Sequence, residues 1–322
     1  MIRCVGLILL VCIADTAVAQ DSWSEWIAEL RDEALSKGID AIVFDAAFED
    51  LQPSEAASHE DAGNGHGTAE LHKDADGLAA HSMIADGRAH ARIHRDLLER
   101  IAREFGVDAC FVVATWGVES RFGAYTGTLP VVHSQAKLAF QSRRKTFYRG
   151  ELLDALKILQ DRHVGLADFL GNRVGATGQT QFMPSSWVAY AVDYDRDGRK
   201  DIWRSTPDVL ASIANYQGKM GWRPSEPWAV EVSLPEGFDT RHEGLKVTKS
   251  VGAWQALGVV PVSGVDWPEP GLEGSIVRLR HGPVYLALHN FRVIMRYNDS
   301  VHYAASVGQL ADGICASGQA AN

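Results

Sequence analysis

The chain has 322 residues, a formal charge of −10 and 46% apolar residues. That apolar share supports a sizeable core and argues against global disorder. The acidic balance argues against nucleic acid and a polybasic membrane surface, since both favour clustered Lys and Arg, so an anionic polymer would have to be held by neutral and aromatic groups.

The first nineteen residues read as a signal peptide. Arg3 supplies the n-region charge, "VGLILLVCIA" (5–14) the apolar h-region and "AVA" (17–19) the small-x-small cleavage pattern. Cleavage after Ala19 starts an exported chain near Gln20. The apolar stretch is too short to span a bilayer, and no other stretch could cross one. Cys12 follows Leu9-Leu10-Val11, which resembles a lipid-attachment box except that Val11 stands where a small residue belongs. A soluble protein is therefore favoured over a lipoprotein. Cys110 and Cys315 survive cleavage; export permits a disulfide between them, and two buried free thiols stay equally open.

"DSWSEWIAELRDEALSKG" (21–38) predicts a helix, with Trp23, Trp26, Ile27, Leu30 and Ala34 at 3.6-residue spacing. Ser22 and Glu25 fit a capping box, and Gly38 suits the stop. A second helix is expected over 40–51. Residues 53–80 turn Gly-, Ala-, Asp- and His-rich and read as a polar surface linker. One long helix is expected over 82–106. On it His90 and His94 stand four apart, either a metal pair or a solvated helix face; two histidines alone make no closed site. The chain then reads as mostly helical from 109 to about 222. In "WAVEVSL" (228–234) the period changes to two, a strand signature that "SIVRLR" (275–280) and "VYLALHN" (284–290) share. Helix returns over 296–314, and no internal repeat is present.

Three stretches carry chemistry. In "TWGVESRFG" (115–123) an apolar run ends on Glu119. If the run is helical, the carboxylate sits at the negative end of the dipole beside an apolar wall, and both raise its pKa, as a general acid requires. The alternative is a core charge paired with Arg121 or another cation. In "GATGQTQFMPSSW" (175–187), Gly175 and Gly178 allow close backbone approach, Gln179 and Gln181 offer amides, and Phe182, Met183 and Trp187 offer apolar faces. Amides beside aromatic faces suit a sugar groove; an ordinary helix–helix connection is the bland alternative. "DYDRDGRKD" (193–201) places Asp193, Asp195 and Asp197 at alternate positions before Gly198, with the Arg199 carbonyl and Asp201 following. This is the start of an EF-hand loop, suited to Ca²⁺. Arg204 stands where the closing glutamate belongs; a solvated acidic turn is the alternative.

"WGVESRFG", "GATGQTQFMPSSW" and "SIANYQGKMGW" (212–222) occur in the order and approximate spacing of the lytic murein transglycosylase B family. The resemblance continues through "LPEGFD" (234–239), "WQALGV" (254–259) and "HNFRVIMRYNDSVHYA" (289–304), so it covers nearly all of the mature chain. It implies an α+β, mostly helical fold. An N-terminal helical region (20–108) would precede a lysozyme-like catalytic core (109–227) with an EF-hand-like loop (193–208), a small inserted β-rich subdomain (228–288) and a C-terminal segment (289–322) returning to the core. It implies Glu119 as the catalytic residue. It also implies Gln181, Tyr297, Asn298 and Tyr303 as glycan contacts, with Phe147 or Tyr148 near the cleaved bond, and Asp208 as the acid that closes a structural Ca²⁺ site; Phe182 joins the expected contacts through the apolar face that its ring offers beside the amides. The polar linker departs from the family's helical pattern.

The implied function is periplasmic cleavage of the β-1,4 MurNAc–GlcNAc bond of peptidoglycan glycan strands, leaving 1,6-anhydro ends. A hydrolytic muramidase on the same core, and a non-catalytic calcium-stabilised peptidoglycan-binding protein, are the alternatives. A calcium sensor fits poorly, with one loop and five methionines.

Overall fold

The computed structural model describes residues 22–49, 51, 78–262, 266–280 and 282–316. The signal segment, Cys12 and most of the linker lie outside them. In chain order the elements are α1 (22–36), α2 (Ala41–Phe48), α3 (Leu78–Ile93), α4 (Arg95–Phe105), α5 (Ala109–Ser120), β1 (Leu129–Pro130), α6 (Val131–Gln141), α7 (Lys145–Gln160), β2 (Leu170–Gly171), α8 (Pro184–Tyr190) and α9 (Thr206–Lys219). Then follow β3 (Ala229–Ser233), β4 (Lys249–Ser250), α10 (Val251–Ala256), β5 (Val260–Pro261), β6 (Glu273–Arg278), β7 (Val284–Ala287), α11 (His289–Tyr297) and α12 (Val301–Cys315). Among the described residues the fold is mostly helical, with a five-stranded and a two-stranded antiparallel sheet; a mostly helical chain with a small β-rich part is what the sequence predicts.

Several expected boundaries move, and α3 begins at Leu78, inside the stretch expected to be linker. The helix over 82–106 is two helices, α3 and α4, separated at His94 (φ −103, ψ 18). His94 N still bonds His90 O and Leu98 N still bonds His94 O, so the axis is broken locally while the hydrogen-bond ladder runs on. The strand over 284–290 stops at Ala287, because α11 begins at His289. The helix over 296–314 is the end of α11 plus α12. Between them Asn298 is extended (φ −147, ψ 120), and Ser300 caps α12 by accepting from Tyr303 N at 3.3 Å. Asn, Asp and Ser in "NDS" bond nearby backbone outside helices, which favours such a cap.

The described chain divides into two compact units with interleaved segments. One, the glutamine-loop unit, takes the described residues up to 51 with Thr126–Ala189 and Arg196–Trp203. In it Trp23 and Trp26 of α1 pack their rings 4.9 and 5.4 Å from Phe140 of α6. Glu33 of α1 accepts from Arg149 of α7 at 2.6 Å. Gly38, at φ 84, stops α1 in the left-handed conformation that glycine adopts without strain.

The other, the acid unit, takes the described residues from 78 to 125 with Tyr190–Asp195 and the described residues from Arg204 on. Its helix α5 is buried on every side from Val112 to Val118, as a helix that is apolar nearly all round must be, with Thr115 bonded there to Gln217. α12 is buried along Ala304, Ala305, Val307, Leu310, Ala311 and Ile314. Cys110 and Cys315 form a disulfide, with Cα atoms 5.9 Å apart, joining the start of α5 to the end of α12. This settles the alternative that the sequence left open. The five-stranded sheet has the order β4-β6-β7-β3-β5, all neighbours antiparallel. Val230 and Val232 of β3 turn into a core with Val251, Trp254, Ile276, Leu286 and Leu288, while Glu231 and Ser233 face out.

Candidate active site

Glu119 lies one residue before the end of α5. Arg121 (φ 48), Phe122 (φ 58) and Gly123 (φ 89) are all left-handed, so the helix stops abruptly after the carboxylate. Each of the two side-chain-bearing residues costs about 1–2 kcal/mol in that conformation. The turn is closed by Arg121 N on Gly117 O at 2.8 Å, Gly123 N on Ser120 Oγ at 3.0 Å and Tyr125 N on Ser120 O at 2.9 Å.

Burial pushes the Glu119 carboxyl up to about 8, outweighing the opposing effect of its hydrogen bond from Tyr303. The residue keeps a partial opening to solvent. The Tyr303 hydroxyl donates to Oε1 at 2.6 Å. The pairing with Arg121 that the sequence allowed is replaced by this bond; the Arg121 guanidinium lies 5.5 Å over the Tyr125 ring. A carboxyl so placed is largely protonated at neutral pH and can deliver a proton.

Tyr303 is itself 1% exposed, so it meets the acid and offers almost no surface of its own. It is the inner end of a row of tyrosines. Tyr297 stacks 6.3 Å from Tyr303, Tyr216 lies 4.7 Å from Tyr297, and Tyr190 lies 4.7 Å from Tyr216. The Tyr216 hydroxyl donates to Arg296 O, and burial pushes it up to about 12, with Tyr190 and Glu119 adding to the rise. Asn298 Oδ1 is buried with no bonded partner among the described residues. Sequence reasoning assigned no role to Tyr190 or Tyr216. Tyr216 stands inside "SIANYQGKMGW", whose match to the family was the available signal.

The other expected glycan contacts lie in the glutamine-loop unit. Gln181 is left-handed, at φ 50. Its amide nitrogen donates to Thr126 O at 3.2 Å and to Gly178 O at 2.9 Å, and its carbonyl accepts from Asn172 Nδ2 at 3.2 Å. Glycine is required at 175, where a Cβ would stand 2.1 Å from Gln135 Nε2. Phe182 is 2% exposed and acts as a core ring. Gln179 bonds away from the turn, its N to Ile202 O and its Nε2 to Trp203 O, both at 2.9 Å. Phe147 is exposed, with the Arg144 guanidinium 4.1 Å over its ring; Tyr148 is half-buried, 5.1 Å from Phe147. The expected site residues thus fall in two groups: Glu119, Tyr297, Asn298 and Tyr303 in the acid unit, Gln181, Phe182, Phe147 and Tyr148 in the other.

In the acidic loop, Asp193, Asp195 and Asp197 each offer a carboxylate oxygen, all within 4.8 Å of one another. This all-oxygen donor set fits Ca²⁺. Asp197 also accepts from Arg199 N at 2.8 Å and pairs with the Arg199 guanidinium at 3.0 Å. Asp201 accepts from Trp203 N at 3.0 Å. Asp208 is fully buried, and its Oδ1 accepts from Tyr194 N at 2.7 Å and Asp195 N at 3.3 Å. Ser205 Oγ donates to Asp195 at 2.6 Å. His90 and His94 do not form a solvated face: their rings lie parallel, 6.0 Å apart, with His90 4.8 Å from Trp116 and 4.7 Å from Phe122. Burial lowers the pKa of both.

Residues 22–312 match the family described as transglycosylase SLT domain. The membrane-bound lytic murein transglycosylase B of Escherichia coli K12 is 33% identical over 230 residues, which is 69% of this chain and 61% of that relative's length. SltB3 of Pseudomonas aeruginosa, solved with NAG-NAM-pentapeptide, is 40% identical with a TM-score of 0.82, over 91% of this chain and 79% of that one. The same protein solved with NAG-anhNAM-pentapeptide matches equally well, with a TM-score of 0.81. The Escherichia coli lytic transglycosylase Slt35 in complex with calcium is 26% identical with a TM-score of 0.72, over 90% of this chain and 93% of that one.

Proposed function

This chain belongs to the transglycosylase SLT domain family, and we propose that within it the chain is a peptidoglycan lytic transglycosylase with Glu119 as its one acid and base. The observation that carries this reading is Glu119 itself: a carboxyl pushed up to about 8 by burial and bonded to the Tyr303 hydroxyl. One relative, SltB3, solved with NAG-NAM-pentapeptide and with NAG-anhNAM-pentapeptide, supports the substrate and the product.

Tyr303 donates to Oε1, which leaves the acid proton on Oε2. Oε2 gives that proton to the glycosidic oxygen between MurNAc and GlcNAc. The C1–O bond breaks, GlcNAc leaves with a 4-hydroxyl, and positive charge develops at the muramic C1, where the substrate's own acetamido group stabilises it. Glu119, now a carboxylate, takes the proton from the muramic C6 hydroxyl as O6 bonds to C1. The product is a 1,6-anhydro end, and no water enters, so the second carboxylate of many glycosidases has no task here. In this reading Tyr297 and Asn298 are the glycan contacts of the acid unit, and Gln181 with an aromatic at 147 or 148 are those of the glutamine-loop unit. Phe182 serves as packing beneath the loop.

Asp193, Asp195 and Asp197, with the Arg199 carbonyl, Asp201 and the bracing Asp208, would hold Ca²⁺, which fixes the loop and takes no part in proton transfer. The signal segment and the membrane-bound relative support a periplasmic location; among the described residues no helix is long and apolar enough to cross a membrane. The test is to digest purified peptidoglycan and weigh the products. Anhydro ends are expected. Reducing ends one water heavier, as the main product, would make the protein a muramidase, and binding without soluble product would make it a scaffold.

A further inference from the structure

We propose that Phe122 is a positioning residue for the acid: its ring fills a socket that Gly117 leaves open on α5, and so holds the left-handed turn that ends the helix just past Glu119. The proposal rests on Glu119 being the acid and adds to it the device that keeps the acid in place.

A helix usually ends on a left-handed glycine. Here glycine comes only third, at Gly123, after Arg121 and Phe122 have taken the same conformation with their Cβ atoms. Such a run persists only where the surroundings over-determine it. The backbone N–H groups of Arg121, Phe122, Gly123, Ala124 and Tyr125, all hydrogen-bonded within the turn, supply part of that hold, and the Phe122 ring adds to it. A Cβ at Gly117 would stand 2.7 Å from Phe122 Cζ and 2.8 Å from Cε1, so the ring occupies the space of the missing side chain two residues before the acid. A Cβ at Gly87 of α3 would lie 3.4 Å from the same Cζ. Trp116 meets the ring nearly perpendicular at 5.5 Å, and His90 stacks on it at 4.7 Å. Phe122 thus ties α3 to the end of α5. The turn decides where α5 stops, and with it the direction of the Glu119 side chain and the tightness of the apolar wall around its carboxylate.

The titratable and charged groups around the turn are few. Tyr303 of α12 bonds Glu119 directly; Tyr216 of α9 and Tyr297 of α11 follow in the tyrosine row. On α3, His90 and His94 lie against Trp116, and Asp86 acts on His90. Arg121, in the turn itself, lies over Tyr125.

The experiment compares Phe122→Leu, Gly117→Ala, the two combined, and Glu119→Gln. Rates are taken on a soluble NAG-NAM oligosaccharide well below the melting temperature. Phe122→Leu should lower kcat at least about tenfold with KM within about twofold, as a misplaced reacting group does. Its alkaline limb should move to lower pH, because a loosened turn admits water to a carboxylate whose pKa burial raised. Gly117→Ala, pressing on the ring, should give the same two changes, and it decides the matter if Phe122→Leu does not fold. The combined variant should recover part of the kcat, since the smaller side chain leaves room for the methyl. A lower melting temperature with unchanged kcat and an unmoved limb would make Phe122 mere packing, and a raised KM with unchanged kcat would make it a substrate contact; either overturns the proposal. Wild-type kcat in Glu119→Gln would instead remove the acid assignment beneath it. An inactive Glu119→Gln beside a fully active Phe122→Leu would remove only the positioning role.

Discussion

The turn after Glu119 and the loop around Gln181 hold side-chain-bearing residues in the same left-handed conformation by opposite means. In the acid unit the turn is wedged by a ring among Trp116, His90 and a bare Gly117, and among the described residues the side chain bonded to the carboxylate is that of Tyr303. In the glutamine loop all three hydrogen bonds of the Gln181 amide go to its own unit, to Thr126, Gly178 and Asn172. Packing that excludes water raises a carboxyl's pKa; a saturated amide sets geometry and leaves ionisation alone. The first region should therefore respond to volume and to pH, the second to the loss of hydrogen bonds.

The largest effect should come from Glu119→Gln. Loss of the general acid is worth roughly 10²–10⁴-fold in turnover, measured on purified glycan. Stability should move the other way. Burial raises the folded pKa to about 8 from an ordinary 4.5, so the wild-type carboxyl favours the folded state fully below 4.5 and loses that advantage as pH rises through 8. The gap in melting temperature in favour of Glu119→Gln should widen across that window and stay flat above it. A gap that does not change with pH would deny the buried acid.

Next comes the acidic loop. A ligand that binds only the folded state adds about 2.7 kcal/mol at a hundredfold excess over Kd, so Ca²⁺ should raise the melting temperature. Asp193→Ala or Asp197→Ala should abolish the rise. Identical curves with chelator and with Ca²⁺, in verified metal-free protein, would leave only an acidic turn.

Gln181→Ala sharpens the contrast most. A hydrogen bond is worth about 0.5–1.5 kcal/mol, so the variant should melt earlier and, if the amide also serves the glycan, cleave roughly three- to tenfold more slowly. Its pH profile should keep the wild-type limb. A shifted limb would break the division between the two regions. Tyr303→Phe is the reverse probe and the smallest effect. Its hydroxyl lowers the Glu119 pKa, so removing it should move the alkaline limb upward, opposite to Phe122→Leu.

Much of this was legible in the sequence because it rests on local pattern. Period 3.6 in 21–38 and period 2 in "WAVEVSL" gave α1 and β3. The apolar run into Glu119, with the helix dipole, gave the direction of its pKa. What stayed hidden depends on contacts far apart in the chain. Cys110 and Cys315 are 205 residues apart, and Tyr303 reaches Glu119 across 184. The break at His94 interrupts a sequence whose apolar period runs on, whereas the break at Asn298 had a local signal, the capping residues of "NDS". Phe182 looked like a sugar platform because composition shows an aromatic and not which way it faces. The left-handed Arg121 and Phe122 could not be read at all, since neither residue type favours that conformation.

The most direct test of the central claim is cleavage in heavy-oxygen water with mass analysis of the new muramic ends. Anhydro ends carrying no solvent oxygen, formed by wild type and not by Glu119→Gln, are the predicted result. Heavy oxygen at reducing muramic ends would show that water attacks C1 and would contradict a lytic transglycosylase.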